Sequence, residues 1–567
     1  MIKELTDSSD YLGAKAGMIK KINEIIKKFD NVLIPESLIV SSEYFDRHLK
    51  SLSSAERSVK IKKDLLKEIR KKFGNKALVI RSSATCEDSI FFSGAGIYDS
   101  FLNISSDEEI VLAITKTYES FDTPNADFYA DFNEIDYSKE SMAILIQELA
   151  PIKTSGVLFT RDPVTESSEI QIEQVSGLGD SVVSGCANLK TITYHKNEIN
   201  NVKDPLIKQL IIVAYDLEKE LGFPVDVEWG CNDSHIYIFQ ARPIIFNKQK
   251  KNCLRDEKSI ISKGISIGRV QYLNKTTNSE NKIIVRNKKC TINDILQILH
   301  SRGFIISDGG RLSHFANILR EFSLPCLFIE ESPEDTDSVF VLDAYLGKFQ
   351  KFEDLTDVEA DEYLWDYLDE IYEMFNFYSY RYKQIRKMNR VIKYETVVFD
   401  VSEENVEKME KNSLEHQADV QRIWTYDLKD GGLFSQKTIL RIQMSFGKTL
   451  LQIKKLGMEN GFRRECEYIL EFDNFENAEQ FILSLGLHRT GYQERKLNQY
   501  IFNDYQCNVI EWPNKKPYLG IECGDSNMFE QILKSLGYNN KKGEAIDGKE
   551  IFDKLDLSLN NCSFDKE

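Results

Sequence analysis

Residues 308–326 read DGGRLSHFANILREFSLPC. Gly309 and Gly310 let the backbone turn tightly after the apolar run at 303–306, and Ser313 is a favoured cap for a helix starting at His314. A histidine in that position sits where backbone N–H groups and the helix dipole favour an added phosphoryl group. Imidazole is a competent nucleophile near neutral pH, its unperturbed pKa being about 6.5. Working outward, period-two apolar runs predict strands near 267–273, 282–286, 303–306 and 339–342. Helical spacing predicts helices at 291–301 and 314–322, so 263–352 reads as an α/β unit.

Upstream, residues 11–30 predict a glycine turn that presents Lys15 just before a helix, and 55–73 predict a second amphipathic helix before a strand at 77–80. From 141 to 245 short β-rich runs alternate with Gly, Pro and Asp turns. Residues 246–262 (NKQKKNCLRDEKSIISK) are polar and aperiodic, as a linker is. Residues 353–390 carry charge and aromatics at helical spacing and predict connecting helices. Residues 391–545 alternate β-rich runs with short helices at 403–411, 475–485 and 527–535, an α+β domain followed by a tail at 546–567.

A chain of 567 residues is too long for one core, so several domains of roughly 100–200 residues are expected. The net charge of −17 argues against a nucleic-acid partner, because an acidic surface repels phosphodiester backbones. No run approaches the roughly 18–20 apolar residues of a spanning helix, and no secretory signal is read, so no membrane partner and a cytoplasmic location are expected. The ten cysteines include no CxxC pair, which fits reduced thiols rather than zinc or disulfides.

The 308–326 stretch resembles the phosphohistidine, or swivelling, domain of the phosphoenolpyruvate-utilising enzymes, a family that includes phosphoenolpyruvate synthase, pyruvate phosphate dikinase and rifampicin phosphotransferase. The shared residues are Gly309, Gly310, Ser313, His314, Ala316, Arg320, Glu321 and Pro325. Leu312 stands where the family usually has a hydroxyl or thiol. Residues 1–245 resemble the same family's ATP-grasp domain through motifs in the expected order. They are Gly13-Ala-Lys15-Ala, Arg81-Ser-Ser-Ala-Thr-Cys-Glu-Asp88, Ile146-Gln147-Glu148, Ser155-Gly156 to Pro163, Gly177-Leu-Gly179-Asp180, and Asp226-Val-Glu228 with Gln240-Ala-Arg242. A basic residue common in the family is missing from 118–126.

By that resemblance Lys15, Arg81 and Arg242 contact ATP phosphates, Gln147 and Glu148 line the adenine site, and Glu228 and Gln240 hold Mg²⁺. The residue types suit those tasks. A hard cation takes oxygen ligands, and guanidinium groups pair with phosphate bidentately. Read singly, a strand glutamate or loop lysine is more often a solvated surface group, so the order of the motifs carries the weight.

Residues 391–540 resemble the triphosphate-tunnel (CYTH) family, which includes thiamine triphosphatase and class IV adenylyl cyclases. The residues concerned are Arg441, Lys454, Arg464, Glu465, Glu467, Arg495, Lys496, Glu511 and Glu522. Alternation along a strand would place such side chains inside a barrel. The family's opening Glu-x-Glu-x-Lys is not intact, Glu395-Thr-Val-Val-Phe being the nearest stretch.

These resemblances imply a multidomain α+β and α/β protein that uses ATP and Mg²⁺ to phosphorylate His314, with Arg81 supporting transfer, and then passes the group to an unidentified small-molecule acceptor. Two alternatives stay open: a triphosphate-processing or cyclase-like enzyme acting through 391–545, and a non-catalytic nucleotide sensor. No pyruvate-binding barrel of about 250 residues fits the sequence after the histidine unit.

Overall fold

In a computed structural model of the protein the described residues are 2–4, 11–87, 94, 96–132, 135–177, 190–246, 259–273, 282–286, 301–307, 311–330, 333–375, 384–428, 431–539, 543–546, 548–557 and 561–563. The expected helix at 291–301, Asp88, the Gly179-Asp180 pair, Gly309, Gly310 and most of the 246–262 linker lie outside them. The chain forms two compact units. One comprises Met1–Ser266, Gln271–Glu334 and Leu342–Phe349, the other Ile267–Val270, Asp335–Val341 and Gln350–Glu567. Among the described residues no helix is long and apolar enough to cross a membrane.

The first unit carries a five-stranded sheet ordered Ile2–Lys3, Ser37–Val40, Met142–Glu148, Leu78–Ala84, Phe101–Ile104. A six-stranded sheet runs Val32–Leu33, Ile236–Pro243, Val225–Cys231, Thr154–Phe159, Glu169–Ser176, Lys190–His195. Helices Gly13–Ile26 and Pro205–Leu221 bury Ile19, Ile22, Leu210 and Leu217 against Val225, Val227 and Ile238 of the second sheet. The longer helix is bounded by its own chemistry. The Asp204 carboxylate accepts the N–H groups of Leu206 and Ile207, Pro205 opens the first turn, and Gly222 ends it at φ +82°. Strands Ile260–Ser262, Cys326–Phe328, Gly303–Ile306 and Lys282–Arg286 lie side by side in that order.

Several sequence expectations are corrected here. Lys15 lies inside the first turn of its helix, not in a loop before it. The helix expected at 55–73 is two, Ser54–Asp64 and Leu66–Phe73, broken at Leu65. The end of the expected linker, Ile260–Ser262, is a strand. Among the described residues of the expected connecting segment, Asp357–Phe375 is α-helical and a strand starts at Ile385. The expected tail contains the helix Gly548–Leu555 and the short strand Asn561–Cys562.

In the second unit eight antiparallel strands close into a barrel. The order is Glu415–Asp427, Thr438–Ser445, Lys448–Glu459, Phe462–Phe472, Ile385–Val398, Tyr518–Cys523, Tyr505–Glu511 and His488–Ile501, which pairs back onto Glu415–Asp427. Closure removes the exposed strand edges that an open sheet would leave. Helices Glu403–Asn412 and Phe529–Ser535 cover outward residues such as Val509, Leu519 and Ile521. Ile551 and Phe552 of the Gly548–Leu555 helix pack with Val397, Leu497, Ile510 and Trp512, giving one end of the barrel an apolar stopper.

Candidate functional site

The start of the Gly13–Ile26 helix is pinned to the Leu78–Ala84 strand. The Ser83 hydroxyl donates to the Leu12 carbonyl at 3.0 Å and accepts the Ala16 N–H at 3.0 Å. Gly13 has φ +71°, and a Cβ there would meet the Ser83 carbonyl oxygen at 1.8 Å, so only glycine fits this approach. The buried Lys15 ammonium donates to Glu87 Oε1 at 3.0 Å, and the other Glu87 oxygen accepts the Ala84 N–H at 2.9 Å.

Arg81, on that strand, donates to Glu228 Oε2 at 2.6 Å and to the Phe239 carbonyl at 2.9 Å. Glu228 stands directly opposite Gln240, and Asp226 directly opposite Arg242, on neighbouring strands. Positions two apart share a face, so these four buried side chains form one polar stripe. Arg242 Nε donates to Asp226 Oδ2 at 2.8 Å. One carboxylate and one amide oxygen on opposed positions fit a Mg²⁺ ion that completes its shell with phosphate and water. Each of the three expected phosphate-binding cations therefore has an acidic partner: Glu87, Glu228 and Asp226. Gln147 is buried and donates to the Ser37 hydroxyl at 3.0 Å. Glu148 instead pairs with Lys76 at 2.7 Å on an exposed edge.

Helix His314–Glu321 begins at its Ser313 cap, whose hydroxyl accepts the Ala316 N–H at 3.2 Å. The His314 side chain lies outside the described set. The chain on either side of it is tied to the six-stranded sheet and the loop after its Thr154–Phe159 strand. Arg311 donates to Asp162 Oδ1 at 3.1 Å, and the Leu312 N–H donates to Glu173 Oε1 at 3.3 Å. The Leu312 side chain packs with Val157, Phe159 and Ile244. Beyond the histidine, the Asn317 amide makes a long 3.5 Å contact to Asp226 Oδ2, the same oxygen that Arg242 holds. Arg320 is fully buried and donates to the Ile261 carbonyl at 3.1 Å, the Arg311 carbonyl at 2.9 Å and the Asn317 amide oxygen. Burial pushes its pKa down to about 9. The Tyr129 hydroxyl donates to Glu321.

Burial also raises the Glu173 carboxyl to about 7, although the Leu312 N–H and the nearby Arg320 and Arg311 oppose the rise. Glu173, Glu87, Asp226, Asn317 and Tyr129 were not singled out as site residues in the sequence. A Glu or Asp in a strand carries no local sign that its partner lies many residues away.

The barrel lumen is the second polar cluster. Directly opposed residues of antiparallel strands share a face, and the register aligns Arg441 with Gln452, Lys454 with Glu467, Lys393 with Glu465, and Glu395 with both Arg463 and Glu522. Arg441, Lys454, Glu465, Glu467, Arg495 and Glu522 are brought to this face. Arg464 and Lys496 are not: they pair on the outside with Glu459 at 3.1 Å and Glu511 at 3.4 Å. Lys393, Glu395 and Arg463 line the lumen and were not among the expected site residues.

Residues 6–205 match the family model "Pyruvate phosphate dikinase, AMP/ATP-binding domain", and residues 278–345 match "PEP-utilising enzyme, mobile domain". The phosphoenolpyruvate synthase of Pyrococcus furiosus is 28% identical over 366 residues, covering 54% of this chain and 44% of that protein. The rifampicin phosphotransferase of Bacillus cereus is 31% identical over 206 residues, covering 30% of this chain and 24% of that one. The chain thus spans less than half the length of these curated relatives. Among solved structures, a Hippeastrum protein described as having a dominant triphosphatase activity is 15% identical, covering 30% of this chain and 97% of its own, with a TM-score of 0.24. The barrel assignment rests on the strand register alone.

Proposed function

We propose that this chain, whose residues 6–205 and 278–345 belong to the phosphoenolpyruvate-utilising enzyme family, is an ATP-dependent phosphotransferase with His314 as its phosphoryl carrier. The carrying observation is the tether on both sides of that histidine. Leu312 is held by Glu173, and Asn317 reaches Asp226 on the strand that presents Glu228. That arrangement favours transfer from a nucleotide bound over the same strands.

On this reading residues 1–245 hold ATP and 263–352 carry the histidine. Lys15, Arg81 and Arg242 exchange their present acidic partners for phosphate oxygens, with Arg81 and Arg242 suited to bidentate contact. Glu228 and Gln240 hold Mg²⁺, which when bound offsets negative charge between the phosphates. The imidazole nitrogen bonds to the β-phosphorus while the bond to the bridging α,β-oxygen breaks and AMP leaves. Water then takes the γ-phosphoryl group as phosphate, leaving phosphohistidine. The Ser313 cap keeps the first-turn N–H groups aligned beside the carrier. The next acceptor is a small molecule.

Incubation with β-labelled ATP should give acid-labile label on the wild type and AMP in solution, with no label on His314→Ala. Label that survives in His314→Ala, or a wild type that binds ATP without forming AMP, would sink the proposal.

A further inference from the structure

We infer that the carboxylate set of the barrel lumen does not take a divalent metal ion, because the Lys393 ammonium already occupies it, so that a phosphate-bearing anion in the lumen is held by arginine without metal. Lys393 Nζ lies 2.7 Å from Glu522, 3.2 Å from Glu467 and 3.8 Å from Glu465. Lys454 adds contacts of 3.0 Å to Glu465 and 3.6 Å to Glu467. Arg463 pairs with Glu395 and, at 3.1 Å, with Glu465. Every carboxylate of this layer therefore faces a cation supplied by the chain. Burial alone would lower the Lys393 pKa, but Glu522, Glu467 and Glu465 outweigh it and keep the ammonium charged. A divalent ion entering among these carboxylates would have to displace or approach that ammonium, and either is costly in a buried site.

Two lumen cations have a different surrounding. Arg441 Nε donates to the neutral Gln452 amide oxygen at 2.7 Å, and Arg495 Nε donates to the neutral Gln421 amide oxygen at 2.6 Å. Neither has an ion pair among the described residues; the Tyr518 hydroxyl and Glu522 favour the Arg495 charge. The Arg495 guanidinium also lies over the Trp512 ring at 5.6 Å. Burial and the neighbouring Arg441 together disfavour its charge, pushing its pKa down to about 10. Both arginines are half-buried rather than sealed from solvent. Two close guanidinium groups with amide partners and remaining N–H donors match the charge and geometry of phosphoryl oxygens. The Gln421 and Gln452 amides hold each fork in place without neutralising it.

The inference does not depend on phosphotransfer through His314. Its test is calorimetric titration of the full chain with inorganic phosphate, pyrophosphate, tripolyphosphate and ATP, each in EDTA and again with excess Mg²⁺. At least one of the three inorganic anions should bind as well in EDTA as with Mg²⁺. Arg441→Gln and Arg495→Gln should each weaken that binding by roughly tenfold or more, the loss expected for one charge-assisted contact. Arg441→Lys, which keeps the charge, should retain part of it, guarding against a folding artefact. Lys393→Met should make the binding respond to Mg²⁺. Saturable binding by none of the inorganic anions, a wild type that binds only with Mg²⁺, or affinity unchanged in both glutamine variants would overturn the inference. The last outcome would assign the anion to the nucleotide site of the first unit.

Discussion

Replacing Glu173 by glutamine should flatten the pH dependence of stability in the first unit. The carboxyl is only 1% exposed and accepts the Leu312 N–H, so it sits in the contact that holds the segment leading into His314. Burial raises its pKa from the ordinary 4.5 to about 7. Below the lower value folded and unfolded chains both keep the proton. Between the two values only the folded chain keeps it, and above the upper value neither does. Stability from the protonated carboxyl is thus fully present below the unfolded pKa and is lost as pH rises to the folded one. The gap corresponds to ~3 kcal/mol at ~1.4 kcal/mol per pH unit. Glutamine preserves the shape and an acceptor oxygen for Leu312 without the charge. Scanning calorimetry of both proteins from about pH 5 to about pH 8 should show the variant gaining on the wild type, by up to ~3 kcal/mol at the upper end. Curves that run parallel across that range would refute the argument, because Glu173 would then not be titrating there.

Two further outcomes follow from packing. Gly13→Ala should cost more than ~2 kcal/mol and sharply weaken ATP binding, measured by melting and nucleotide titration, since φ is +71° and the new Cβ would meet a carbonyl oxygen at 1.8 Å. Leu312→Ala should lower the first unit's stability by ~2–4 kcal/mol in denaturant titration, the cost of a cavity among Val157, Phe159 and Ile244.

The strand and the helix around His314 were legible because each rests on local chemistry: an apolar run, a serine cap and helical spacing. The same holds for the helices at Glu403–Asn412 and Phe475–Leu483, which open at Ser402 and Asn474 caps. The Pro205–Leu221 helix was overlooked among β-rich runs, although Asp204 and Pro205 mark its start. Glu148 matched a motif yet pairs outward with Lys76. A motif gives the neighbours along the chain but not which face of a strand meets the ligand.

The sequence alone determined the strand alternation of the second unit and the capped helix that starts at His314, since both are set by residues within a few positions. Tertiary structure decided which parity of each strand faces inward, because register depends on partners far along the chain. It therefore selected Arg463 over Arg464 for the lumen and turned Lys496 outward. It also decided the barrel's closure, through pairing of Glu415–Asp427 with His488–Ile501, and the union of Lys15 with Glu87 across 72 positions. Long-range pairings of this kind depend on packing the whole unit, and no short stretch encodes them.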